Sequence, residues 1–197
     1  MANIIDEVLS KLPENANISE ACFEAANIIL YTKNKEFFLN NNGCIKDIVN
    51  DIKKRIELRP DPSIAMEIEK AQEIIDNIFP KEAGVNNIIF DPQRSRVIIE
   101  AEKPGLAIVK EGSILKEIRL KTLWVPTIRR TPAIRCKIIE SIRHVLYENN
   151  DERKKFLNKV GKRIYDGWIR EKKSEWIRIS FLGSGREVGR SCLLLQT

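Results

Sequence analysis

An α+β fold built from two successive copies of one helix–strand–strand–helix–helix–strand unit is what this sequence predicts, on three observations. The runs Gly43-Cys-Ile-Lys-Asp-Ile and Gly112-Ser-Ile-Leu-Lys-Glu-Ile align, and the same order of elements surrounds each. Each copy ends in a strand that runs into proline, Ile56-Glu-Leu-Arg-Pro60 and Ile128-Arg-Arg-Thr-Pro132. The first helix of each copy carries apolar residues at helical spacing, Ile4, Ile5, Val8, Leu9 and Leu12 in one and Ile64, Ile68, Ala71, Ile74, Ile75 and Ile78 in the other. A repeat of this length means two structural units, each with its own small core.

The elements follow in order. Ile4, Ile5, Val8, Leu9 and Leu12 recur at helical spacing until Pro13 ends the run. Residues 18–24 and 27–33 read as strands around a short turn. A helix at Lys35–Leu39 meets Asn40-Asn41-Asn42-Gly43, a turn signal. A second helix follows, with Ile45, Ile48, Val49 and Ile52 on one face, and then a strand over 55–59. The order restarts with a helix over 63–78, strands at 86–90 and 95–101 and a helix at 104–108. A turn at 109–112, a helix at 113–123 and a strand at 125–130 complete the second copy. Beyond it, Ile134, Ile138, Ile142, Val145 and Leu146 mark a long helix. Phe156, Val160, Ile164 and Trp168 continue through a basic helix over 151–172, and both stripes read as packing faces. Two strands, Trp176–Leu182 and Cys192–Gln196, flank Gly183-Ser-Gly-Arg-Glu-Val-Gly-Arg190. That glycine run departs from a dinucleotide fingerprint in spacing, and a strand rather than a helix follows it, so it reads as a hairpin loop.

Charge sharpens the functional question. The net charge of +6 conceals a net-acidic half, residues 1–102, and a half, 103–197, that carries more than the whole excess. Such asymmetry points the second half towards a polyanion. No apolar run is long enough to span a membrane, and the N-terminus lacks the pattern of a secretory signal. Cys22, Cys44, Cys136 and Cys192 are scattered with no CxxC pair, as expected of reduced, mostly buried thiols in a cytoplasmic protein.

The residues that carry chemistry are Val109, Lys110, Glu111, Gly112 and Ser113. A tight turn ending on glycine at a helix N-terminus can press backbone N–H groups against a phosphate. Lys116, Arg119, Lys121, Arg129 and Arg130 add positive charge nearby, although strand alternation lets only one of Arg129 and Arg130 line the groove. Val109 stands where a glycine would allow closest approach, so the turn either binds RNA loosely or only keeps the shape. The first copy's Asn40, Asn41, Asn42 and Gly43 form a weaker version of the same turn. Ile108, Ile114 and Ile128 are candidates for an aliphatic groove or for core, and Trp124 for packing between the copies.

The element order is that of a type II KH domain, α-β-β-α-α-β, whose turn clamps about four nucleotides. The text Phe90-Asp-Pro-Gln-Arg-Ser-Arg96, Ala101-Glu-Lys-Pro-Gly105, Leu123-Trp-Val-Pro126 and Leu182-Gly-Ser-Gly-Arg-Glu-Val-Gly-Arg190 is more specific. It resembles the archaeal cleavage and polyadenylation specificity factor homologues. These are β-CASP metallo-β-lactamase ribonucleases with two KH domains at their N-terminus. The resemblance implies a divergent first KH domain over 1–62, a second over 63–132, a helical linker over 133–174 and the first β-hairpin of a metallo-β-lactamase domain over 175–197. It implies recognition of single-stranded, U-rich transcript 3′ ends in termination and 3′-end processing. The expected partners are RNA polymerase, the remaining nuclease portion and, in the full-length family, a second copy. Zinc belongs to the family's His-x-His-x-Asp-His motif, which is absent here; the only histidine is His144, read as a surface or packing residue. No cofactor and no RNA cleavage are therefore expected of this chain alone. An assembly scaffold with degenerate KH folds is the alternative.

Overall fold

A computed structural model describes residues 4–40, 43–108, 112–132, 134, 136–148, 150–166, 177–182 and 192–196. The first copy comprises α1 (Ile4–Ser10), β1 (Ile18–Glu24), β2 (Asn27–Thr32), α2 (Lys35–Asn40), α3 (Cys44–Ile52) and β3 (Ile56–Pro60). The second comprises α4 (Ile68–Ile78), β4 (Val85–Asp91), β5 (Arg96–Ala101), α5 (Pro104–Ile108), α6 (Ser113–Thr122) and β6 (Val125–Arg130). α7 (Lys137–Glu148) and α8 (Asn150–Tyr165) follow, then β7 (Arg178–Phe181) and β8 (Leu193–Gln196). Among the described residues, no helix is long and apolar enough to cross a membrane.

The two copies share more than their element order. Each sheet pairs its first two strands antiparallel and its last two parallel, in the order β1-β2-β3 and β4-β5-β6. Each first strand shifts register near its start, at Ile18/Glu20 and at Val85/Asn87. Left-handed residues recur at matching places: Asn17 and Gly84 before the first strand, Lys53 and Leu123 after the last helix. One face of each sheet is covered by its own helices. In the first copy Phe23, Ile28, Leu30 and Leu58 pack with Val8, Phe38 and Ile48; in the second Val97, Ile99 and Ala101 pack with Ile75, Ile118 and Trp124.

The other face of the first sheet does what its sequence conceals. It buries Cys22, Ile29 and Tyr31, together with the wholly buried Arg59 and the nearly buried Glu24. Arg59 donates to both Glu24 carboxylate oxygens, at 2.7 and 2.8 Å, and to Glu57 at 2.9 and 3.0 Å. Arg94, from the turn between β4 and β5, donates to the same Glu24. Burial alone would raise the Glu24 pKa, but the hydrogen bonds from Arg59 and Arg94 outweigh it and hold the carboxyl at about 2. Leu123 and Val125 of the second copy also join the first copy's core. The copies thus have separate cores but share one compact unit, residues 1–166.

α8 is docked rather than a free linker. Its Leu157 carbonyl accepts from the Ala25 N–H at 3.2 Å, and Asn158 Oδ1 accepts from the Phe23 N–H at 3.1 Å, so the helix covers the edge of β1. Tyr165 stacks on Phe23 with ring centroids 5.0 Å apart and donates to the Ala26 carbonyl at 2.6 Å. Gly161 permits this approach, since a Cβ there would lie 2.1 Å from Phe23 and 2.7 Å from the Ala25 carbonyl oxygen.

Four expectations need correction. The helix predicted from residue 63 begins at Ile68, because Asp61 accepts from Ser63 in a turn and Met66 is held by Thr122 and Trp124. Trp124 packs in the second copy's own core, edge-on to Phe90 at 5.0 Å, rather than between the copies. The α7 stripe is not buried: Ile134, Ile138, Ile142 and Val145 stay more than half exposed, as does Phe156 on α8. Cys136 and Cys192 are exposed, so the thiols are not mostly buried. Trp168 and residues 183–190 lie outside the described residues. Residues 167–197 form a separate unit in which β7 and β8 pair antiparallel, Ile179 opposite Leu195 and Phe181 opposite Leu193.

Two predictions follow from this packing. Glu24→Gln leaves two buried guanidinium groups facing a neutral amide and should cost about 3–5 kcal/mol in urea denaturation. Because the folded-state Glu24 pKa is depressed, its stabilisation is present above its ordinary value and lost as pH falls from about 4.5 towards 2. Asp91, raised by burial, contributes with the opposite sign. Wild type should lose stability over that window more steeply than the Gln variant. Gly161→Ala should cost about 1–3 kcal/mol through overpacking, with hydrogen exchange rising selectively at Phe23 and Ala25.

Candidate nucleic-acid interface

The site is built on the second copy's helix pair. Pro104 opens α5 at a position where its missing N–H costs nothing. Gly112 precedes α6 with φ +70° and ψ 29°, left-handed geometry that glycine adopts without strain. Space is not what selects glycine there, since the nearest atom to an added Cβ is Leu115 Cδ1 at 4.0 Å. Among the described residues no side chain caps α6 and no acid lies in its first turn. Ile114, Ile118 and Thr122 anchor the helix inward while Ser113 and Lys116 remain exposed. Val109, Lys110 and Glu111 lie outside the described residues.

The first copy's turn is different. Gly43 is right-handed, at φ −77° and ψ −58°, with nothing within 4 Å of an added Cβ, so its conformation does not demand glycine. Asp47 sits in the first turn of α3, where a carboxylate already complements the helix dipole. Asn40 ends α2 and is exposed; Asn41 and Asn42 lie outside the described residues.

The predicted basic cluster separates into distinct roles. Arg119 stacks 3.9 Å from the Phe38 ring centroid and donates to the Phe38 carbonyl, so it joins α6 to α2. Lys121 pairs with Glu117 at 2.7 Å. Arg129 is opposite Glu100 on the sheet face that turns towards α7, and it donates to the Tyr147 hydroxyl at 3.1 Å. Arg130 takes the other face, that of Ile128, which the helices cover. Of the five cations, Lys116 and Arg130 therefore remain on the helix side with no described ion pair. Ile114 is core, Ile128 packs against it, and the Ile108 side chain is outside the described residues.

A second concavity of about 670 Å³ lies between α7 and the open face of the second sheet, lined by Asn86, Asn87, Glu100, Arg143, His144 and Tyr147. Arg143 reaches Glu100 at 3.5 Å. Its charges nearly balance. Among the described residues no group of three or more His, Cys, Asp or Glu side chains converges.

Each copy is a three-stranded mixed sheet with helices on one face and a pair of short helices, which makes this an α+β protein. The family model described as "Transcription termination factor FttA, KH domain" matches residues 1–65. A curated relative of that name from Pyrococcus abyssi is 46% identical over 94% of this chain. Others, from Methanocaldococcus jannaschii and a Lokiarchaeum, are 44% and 34% identical over all of it. The chain is similar to these archaeal termination factors over nearly its whole length, and the KH-domain model matches its first 65 residues. It spans 28% of the Pyrococcus relative and 31% of the other two.

The contrast between the two glycines gives a test of opposite signs. Gly112→Ala forces a side chain into left-handed backbone and should cost about 1–2 kcal/mol. Gly43→Ala meets open space in right-handed backbone and should be neutral or stabilising by about 0.4–1 kcal/mol. Urea denaturation midpoints of the two variants would read both.

Proposed function

We propose that this chain recognises single-stranded RNA, as the KH arm of an archaeal ribonuclease acting in transcription termination and 3′-end processing. The observation that carries the reading is the KH-family match, together with relatives named as termination factors. In this reading residues 1–62 and 63–132 are tandem type II KH domains, 133–174 is a helical connector, and 175–197 opens a metallo-β-lactamase domain. The second copy's identical sheet topology and its left-handed Gly112 support a second KH domain.

The chemistry is electrostatic. A phosphate seated at Gly112 and Ser113 accepts from uncapped N–H groups of α6, Lys116 and Arg130 supply cations on the helix side, and Lys110 adds a further cation two residues before Gly112 in sequence. Val109 in place of glycine keeps the backbone from closest approach, so affinity rests on these cations as much as on the turn. The first copy has Asp47 at the equivalent helix start, which favours a supporting role for it. U-rich 3′ ends are the substrate that the family resemblance suggests. RNA polymerase, the nuclease portion of the longer relatives or a second full-length copy are the proposed protein partners, in the cytoplasm. The assembly-scaffold alternative is less favoured by the relatives' name.

Fluorescence titration of labelled single-stranded RNA at two salt concentrations tests the proposal. Micromolar or tighter binding that weakens steeply with salt is expected. Lys110→Asp with Arg130→Asp should weaken it at least tenfold, whereas Arg129→Asp, on the opposite sheet face, should change it far less. No binding at low salt would overturn the proposal.

A further inference from the structure

We propose that the outer face of α8 is a second RNA contact, in which Lys155, Lys159, Lys162 and Arg163 grip phosphates of the strand and the Phe156 ring stacks on a base. The inference rests on the RNA-binding reading and extends it to a surface remote in sequence from the KH turns.

The docking of α8 fixes which residues can reach a ligand. Leu157, Asn158, Gly161 and Tyr165 face β1 and its turn, and Lys154 pairs with Glu20 at 2.8 Å on the same side. At about 100° per residue, Lys159 and Arg163 fall on the opposite arc, and Lys155 and Lys162 lie on the flank between it and Asn158. All four are exposed and none makes a described ion pair, whereas Lys154 and Arg153 are engaged, the latter over the Tyr147 ring at 5.8 Å. Lys155, Lys159 and Arg163 succeed one another every four residues, about 6 Å apart along the axis. Like charges at that spacing repel and weaken a helix, and a polyanion laid along them removes the penalty.

Phe156 adds what phosphate attraction lacks. It is 64% exposed beside Lys159 and Arg163, an aromatic ring interleaved with cations, the combination that holds unpaired bases. A lipid surface fits less well, because an interfacial helix needs an apolar face to bury and the inner side of α8 is already spent on β1. A contact outside the turn also suits a strand longer than the four nucleotides a KH turn covers.

The test compares a five-nucleotide and a fifteen-nucleotide oligouridine on the full chain, across salt concentrations. The variant combines Lys155→Gln, Lys159→Gln, Lys162→Gln and Arg163→Gln; a second variant is Phe156→Ala. None of these residues makes a described hydrogen bond, ion pair or ring contact with β1, and unchanged thermal unfolding would verify the fold. For the longer RNA the quadruple variant should lose at least tenfold in affinity, with the slope of log affinity against log salt falling by about 3. Phe156→Ala should lose several-fold with its slope unchanged, and the five-mer should bind all forms alike. Unaltered fifteen-mer binding by the quadruple variant, while Lys110→Asp with Arg130→Asp weakens it, would overturn the α8 contact and leave the proposed function standing. Wild type that binds neither RNA would overturn both. Sedimentation of wild type with phosphatidylserine vesicles, without RNA binding, would assign the face to membrane instead and overturn the proposal.

Discussion

Arg59 is the residue around which the two copies are arranged. A guanidinium wholly removed from water is tolerable only when its donors are met by charge or strong acceptors. Within the first copy Glu24 and Glu57 meet them, but Glu24 is itself nearly buried and takes a further donor from Arg94. That donor comes from the turn between β4 and β5, so the first sheet's charge network closes only when the second copy is in place. The network is weak evidence for stability but strong evidence for register, because few arrangements of the two sheets satisfy all four charged groups.

From this arrangement the accessible surfaces follow. The first sheet has helices on one face, while Arg94 and α8 engage its other face and its β1 edge, leaving little of it for a ligand. The second sheet's helices keep α6 anchored by Ile114 and Ile118, with an uncapped N-terminus behind Gly112. Leu123, in left-handed backbone at φ 58°, ends α6 and turns its side chain into the first copy's core. That conformation costs about 1–2 kcal/mol in isolation, and packing across the copies offsets it. The helix carrying the proposed phosphate site is therefore held at both ends, by Gly112 geometry and by the neighbouring copy.

Element order was legible in the sequence because its causes are local. Pro13 ends α1, short continuous apolar runs mark β2 and β5, and β6 lies over residues 125–130 as its residues indicate. Failures came where distant residues decide. Nothing local reveals that Met66 is tied to Thr122 and Trp124, which delays α4 to Ile68. An arginine next to a proline reads as surface, yet Arg59 is among the largest fully buried side chains. Periodicity established that α7 is amphipathic but not whether anything covers Ile138 or Ile142. At the candidate site, alternation alone separated Arg129 from Arg130, but only the sheet register assigns Arg130 to the helix side.

The divergence between the copies is confined in a way that bears on function. Their sheets, register shifts and left-handed positions before the first strand and after the last helix coincide, so the framework of the repeat is conserved in detail. The glycines at the start of α3 and α6 do not coincide: Gly43 is right-handed and Gly112 left-handed. Left-handed backbone at Gly112 turns the chain immediately before an uncapped helix start, whereas Asp47 already complements the dipole of α3. The first copy's outer sheet face and β1 edge are engaged by Arg94 and α8, and the second copy's α6 start carries the geometry on which the proposed phosphate site rests.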